Sequence, residues 1–242
     1  PLYEHYVDPS GRYMRIDWNK QEGVFPILVN RSGKNEPFTF DVEFNGSKKY
    51  TVQFYIAFAK GTPVLLLRQA EMFSILYPGG EKQYKQMAFL GRSFVEVFKQ
   101  FEADHGIVRL NEPQLALLLV AMDNDIDFFR RIGARSIYEI TQFILTTHTP
   151  EKAALPICDN PGWLKGTAGY DLVPSTIISQ DGVIHFAEWL ASHPRVKVIN
   201  AVGQEHAKVT KIAILPKSVH YKIVGISNGS DPELWKSKEL KE

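Results

Sequence analysis

The stretch "IVRLNEPQLALLLVAM" (107–122) decides how this sequence is read. Ile107 to Leu110 form a short run of branched and long side chains, which suits a strand. The run breaks at Asn111, and "EPQLALLLVAM" (112–122) then reads as a helix. A strand that passes directly into a helix is half of a parallel crossover. The other half follows downstream. "DFFRRIG" (127–133) reads as a short helix, and "SIYEI" (136–140) joins that helical approach to the next strand. This strand is 142–147, where Phe143-Ile144-Leu145 leads into Thr146-Thr147-His148-Thr149 and is stopped by Pro150.

The same alternation continues toward the C-terminus. "DGVIHFAEWLAS" (181–192) reads as a helix, "KVINAV" (197–202) as a strand, "EHAKVTKIAI" (205–214) as a helix and "YKIVGIS" (221–227) as a last strand. Strand–helix–strand repetition of this size predicts parallel crossovers. The expected fold is therefore α/β: a mostly parallel open sheet with helices on both faces. Upstream, "EKQYKQMAFLGRSFVEVFKQFEADHG" (81–106) places Met87, Leu90, Phe94, Val97, Phe98 and Phe101 at three- and four-residue spacings. That spacing predicts one apolar stripe on a long helix, stopped at Gly106.

The first third differs in period. "PFTFDVEFNG" (37–46) and "KKYTVQFYIAF" (48–58) alternate apolar and polar residues across Asn45-Gly46-Ser47, a hairpin signal. "VLLLRQ" (64–69) is unbroken and reads as a strand buried on both faces. Short β-like pieces flank a turn at Asp8-Pro9-Ser10-Gly11. An antiparallel excursion over 37–69 is thus expected beside the parallel sheet.

Composition narrows the function. Of 242 residues, 44% are hydrophobic and 23% charged, with a net charge of +1, which argues against a nucleic-acid partner. The single Cys158 allows neither an internal disulfide nor a zinc cluster, which fits a reducing compartment. No apolar run approaches the roughly 20 residues of a membrane helix, and no signal peptide opens the chain. A soluble, cytoplasmic protein is expected.

In open α/β sheets, ligands bind outside the carboxyl ends of the strands. Three expected strands end in polar residues there: Asn111, then Thr147-His148-Thr149, then Asn228. The Gly- and Pro-rich stretch "CDNPGWLKGTAGYDLVPST" (158–176) reads as a long loop on the same rim. A lone histidine at a strand end is by default structural. His185 and His206, in expected helices, and His193, before Pro194, share that default. No histidine pair has metal-ligand spacing, so no metal centre is expected. "YPGGEKQ" (77–83) reads as a tight turn before the long helix, with Glu81 complementing its dipole.

A family resemblance adds to this reading. "VRLNEPQLALL" (108–118), "FILTTHTPEKAALP" (143–156), "VINAVGQEHAKVT" (198–210) and "VGISNGSDPELWKSKEL" (224–240) resemble, in order, motifs of the α-glucan (glycogen and maltodextrin) phosphorylases. "LYPGGEKQYKQMAFLG" (76–91) and the opening "PLYEHYVDPSGRYMRIDW" resemble that family's earlier motifs. The resemblance implies the GT-B architecture, two Rossmann-like domains with the site between them. Residues 1–242 would then be most of an N-terminal domain, with 37–69 as its antiparallel insertion and 224–242 as the crossover toward a second domain.

The resemblance also implies what this half does. His148 matches the histidine of the family's "THT" motif, which lines the sugar pocket. Asn111 and Asn228 match asparagines beside it, and Thr147 and Asp231 complete the expected substrate-binding set. Gln114 stands where the family has histidine, Pro113 where it has glycine, and Ser230-Asp231 where it has "VH". The sequence "SNGSDPELW" leans toward the loops of glycogen and starch synthases.

The implied function is transfer of glucosyl units between an α-1,4-glucan or maltodextrin and phosphate or a sugar phosphate. Pyridoxal phosphate is expected in the complete enzyme, attached outside this chain, with no cofactor bound here. No catalytic residue is assigned in this chain, which alone should lack turnover; self-association into a homo-oligomer is compatible with it. Two alternatives stand beside this reading: a nucleotide-sugar glucosyltransferase of the glycogen or starch synthase type, and a non-catalytic glucan-binding module.

Overall fold

The computed structural model describes residues 5–7, 13–15, 23–44, 48–59, 62–75, 78–101, 106–124, 141–149, 151–152, 155–166 and 178–227. The chain divides into two compact units, one of residues 1–103, 117–128 and 160–173, the other of 104–116, 129–159 and 174–242.

The first unit is built from antiparallel strands. β1 (His5–Val7) pairs with β2 (Tyr13–Arg15), as expected for strands either side of the Asp8–Gly11 turn. β3 (Val24–Pro26) is followed by a hairpin that the sequence did not announce, β4 (Leu28–Arg31) with β5 (Lys34–Pro37). Arg31 pairs with Lys34, so Ser32-Gly33 form a two-residue loop. Both have positive φ, 52° and 80°, the twist that favoured hairpin turns require. Every residue of β5 is exposed, so the strand carries no apolar alternation to read.

The expected hairpin is present. β6 (Thr39–Phe44) pairs with β7 (Lys48–Ala59) in a register that sets Phe44 opposite Lys48. β7 pairs with β6 through its first half and with β3 through its second. Phe40, Val42, Tyr50, Val52 and Phe54 are buried, as period-two alternation demands. Tyr55 and Leu66 are buried together with Val24, Ala57 and Val64 packed against them.

β8 (Thr62–Arg68) corrects one expectation. Its apolar run predicts burial on both faces, yet Leu65 is 37% exposed while Leu66 is 3%. The strand pairs antiparallel to β7, so its run of leucines alternates in environment although not in chemistry.

Helix α1 (Gly80–Phe101) forms where the 3.6-residue period predicts it. Its burial is broader than one stripe. Met87, Val97 and Phe98 are buried as expected, but so are Tyr84, Ala88, Phe89, Ser93 and Val95, while Leu90 and Phe94 are half-buried. Two neighbours explain this. Phe89 packs edge-on against Tyr50 at 6.0 Å and Phe73 at 5.7 Å. Gly91 lies against the backbone of helix α2 (Ala116–Asn124): a Cβ there would sit 2.5 Å from the Leu117 carbonyl oxygen.

The second unit holds a four-stranded parallel sheet. β9 (Ile107–Asn111), β10 (Gln142–Thr147), β13 (Val196–Ala201) and β14 (Ile223–Gly225) lie side by side in that order. All four strands expected to share one sheet do so, giving an α/β fold with antiparallel strands near the N-terminus. β10 is central, and Phe143, Leu145, Thr146 and Thr147 are buried on it. A continuous apolar run followed by β-branched residues is what a strand covered on both faces needs. β14 is shorter than 221–227 because Lys217–Lys222 wind into a 3-10 turn.

His185 is not helical, contrary to the 181–192 expectation. β11 (Ile157–Cys158) pairs antiparallel with β12 (Ile184–His185), and the helix starts only at Phe186. Gly182, at φ 79°, makes the turn that returns the chain to Ile184, so the branched pair Val183-Ile184 extends instead of coiling. The stretch 158–176 is not all loop either, since Pro161–Gly166 is a helical turn. The expected elements at 127–133 and 136–140 lie outside the described residues.

Lys222 closes the helix Phe186–Ser192. Its Nζ donates to the carbonyls of Ala191 at 2.8 Å and His193 at 3.1 Å. A cation there meets the orphan carbonyls of a helix C-terminus. Burial, and then the nearby charge of Lys197, hold the Lys222 ammonium below the ordinary lysine value.

Candidate sugar-binding site at the strand ends

The register of the parallel sheet brings two chain exits together. Thr146 of β10 lies opposite Asn111, the last residue of β9. Parallel strands release the chain at one edge, so the residues after β9 and β10 emerge side by side. The His148 Nε2 and Asn111 Oδ1 are 3.0 Å apart. An amide oxygen only accepts, so in this orientation the neutral imidazole carries its proton on Nε2. Its Nδ1 is then an acceptor.

Glu112 organises the turn between them. Its backbone N–H donates to the Thr146 carbonyl at 2.8 Å, extending the ladder by one step. Its backbone sits at φ 78°, ψ 152°. The ψ value follows from Pro113, which excludes the α region for the residue before it. The φ value belongs to a region that glycine alone enters freely, and strain of this kind costs on the order of 1–3 kcal/mol.

The carboxylate of Glu112 shows what holds that conformation. Its Oε1 accepts the His148 backbone N–H at 2.7 Å, and Oε2 accepts from the Thr149 hydroxyl at 3.5 Å. The first is a short, charge-assisted bond; the second is at the limit of useful range. Pro113, buried, opens the 3-10 turn Pro113–Leu115 that leads into α2. Glu112 thus fastens the loop after β10 to the end of β9.

Polar side chains along these strand ends are hydrogen-bonded. The Arg109 Nε donates to the Thr146 hydroxyl at 2.7 Å. Thr147 is 5% exposed, and its hydroxyl accepts the Thr149 N–H at 3.4 Å. On the next strand, buried Asn200 accepts the Ile226 N–H on Oδ1 at 2.9 Å, and the Gln204 Nε2 donates to the Gly225 carbonyl at 2.8 Å. A Cβ at Gly225 would meet the Gly203 carbonyl oxygen at 2.7 Å, so these two chain segments pack backbone to backbone.

Of the five residues expected in the site, the structure brings Asn111 and His148 into contact at the solvent edge and sets Thr147 below them. Asn228 and Asp231 lie outside the described residues. Two residues were not anticipated. Glu112 read as a helix start, although a residue between a strand and a proline is biased against helix. Asn200 read as an ordinary strand residue. Among the described residues, no cluster of His, Cys, Asp or Glu is gathered for a metal ion, and no helix is long and apolar enough to cross a membrane.

No protein-family model matches the chain. No curated protein matches it either. Among solved structures, the chain is similar to the catalytic domain of starch synthase IV from Arabidopsis thaliana bound to ADP and acarbose, with a TM-score of 0.63 and 16% sequence identity. The match covers 89% of this chain and 43% of that one, so the chain spans less than half the length of the structure it resembles. At this identity the likeness establishes the fold, that of one part of a starch synthase catalytic domain.

Proposed function

We propose that the protein transfers glucosyl units from a nucleotide-linked donor to an α-glucan, and that this chain holds the sugar at the carboxyl edge of its parallel sheet. The observation that carries this reading is the contact of His148 with Asn111 on a loop fastened by Glu112. An amide, an imidazole and nearby hydroxyls are the groups that hold a neutral sugar, and fixing their geometry beforehand lowers the entropy cost of reaction. Supporting it, the structure with the similar fold is a starch synthase domain holding ADP and acarbose. The sequence "SNGSDPELW", with Asp231 where phosphorylases carry histidine, points the same way.

Phosphorolysis is the competing reading, favoured by the ordered motifs "LNE", "TTHTP" and "SNG". Pyridoxal phosphate belongs to that reading alone. The full-length protein with maltoheptaose and ADP-glucose is expected to release ADP and lengthen the glucan. With glucose 1-phosphate it is expected to release no phosphate. Phosphate release without ADP release would overturn the nucleotide-donor reading in favour of phosphorolysis. Glucan binding with neither product would leave a binding module in its place.

A further inference from the structure

We infer that Glu112 is a positioning residue, whose carboxylate sets the aim of the His148 ring by holding the backbone of the Thr147–Thr149 loop. The connection to sugar binding rests on the proposed function; the clamp itself does not. Three observations converge on this residue. Its backbone occupies a glycine-type conformation, φ 78° and ψ 152°, without being glycine. Its carboxylate takes the His148 N–H at 2.7 Å and reaches the Thr149 hydroxyl at 3.5 Å. Its own N–H is committed to the Thr146 carbonyl at 2.8 Å, so it cannot turn away to relieve the strain.

A glycine at 112 would adopt this backbone without penalty. A side chain is therefore kept where the fold alone would do better without one, and such outliers cluster at functional sites. The carboxylate accepts the His148 backbone N–H, and the imidazole of the same residue meets Asn111 at 3.0 Å. Removing the carboxylate frees the loop that carries His148 while sparing the fold. Glutamine keeps an oxygen where the His148 N–H needs an acceptor.

The test compares Glu112→Gly and Glu112→Gln with the wild type in the full-length protein. Three quantities are read: melting temperature, the His148 backbone and ring 15N signals without ligand, and affinity for maltoheptaose. Glu112→Gly is expected to melt no lower than wild type, to shift the His148 signals and lose protection of its amide, and to bind maltoheptaose at least tenfold more weakly. Glu112→Gln is expected to restore both the signals and the affinity. Unchanged His148 signals in Glu112→Gly overturn the inference. So does a Glu112→Gly variant that only melts earlier, with wild-type affinity per folded molecule. His148→Ala separates the two levels. If it and the wild type bind maltoheptaose equally, the sugar reading fails, yet shifted signals in Glu112→Gly, restored by glutamine, still support the clamp.

Discussion

His148→Ala is expected to lower glucosyl transfer by about ten- to hundredfold and to leave the melting temperature almost unchanged. The side chain is exposed and lies beyond the end of β10, so its removal opens no cavity in the core. On the proposed function, what is lost is one hydrogen bond to a sugar hydroxyl. Such a bond is worth roughly 1–3 kcal/mol when its loss strands a buried group. At 1.36 kcal/mol for each factor of ten, that gives the stated range in rate. Asn111→Ala should cost less than additively on top of it, because the two side chains share one contact. Turnover and melting on the same preparation decide the point. A variant that melts early but turns over normally per folded molecule would make His148 structural.

Gly91→Ala is expected to destabilise the fold by about 1–3 kcal/mol, the usual cost of forcing extra atoms into a packed interior. For a chain of this size that lowers the melting temperature by several degrees. The direction is informative, because two effects compete. Alanine improves helix propensity over glycine by about 1 kcal/mol. Against that, the new Cβ would stand 2.5 Å from the Leu117 oxygen and 2.7 Å from its carbonyl carbon, backbone atoms that cannot rotate away. The clash should win. Thermal unfolding of the variant checks it, and a higher melting temperature would place α1 and α2 further apart than described.

The parallel sheet was legible because its strands carry their own signals. "IVRLN" and "QFILTT" pass from apolar runs to polar ends, and the structure sets Asn111 opposite Thr146 as the crossover reading requires. The β6–β7 hairpin was legible from its period-two alternation. The β4–β5 hairpin was not, because β5 is wholly exposed and its turn depends on the positive φ of Ser32, a residue that rarely adopts it. The same blindness hid Glu112. Local propensity describes what a residue prefers, and Glu112 is held in a conformation it does not prefer by bonds from His148 and Thr149, 36 and 37 residues away. The β12 strand was missed for a related reason. "VIHFAEWLAS" has helical periodicity throughout, and only pairing with Ile157-Cys158 draws its first residues into a ribbon.

On the proposed function, a glucan is held at the ends of β9 and β10. Titration of the isotope-labelled protein with maltoheptaose, followed through backbone amide and histidine ring signals, tests it most directly. Saturable shifts are predicted at Asn111, Glu112 and Thr147 to Thr149, with the largest change on the His148 ring. Saturable binding that leaves these signals unmoved would place the glucan elsewhere and overturn the assignment of the sugar to these strand ends.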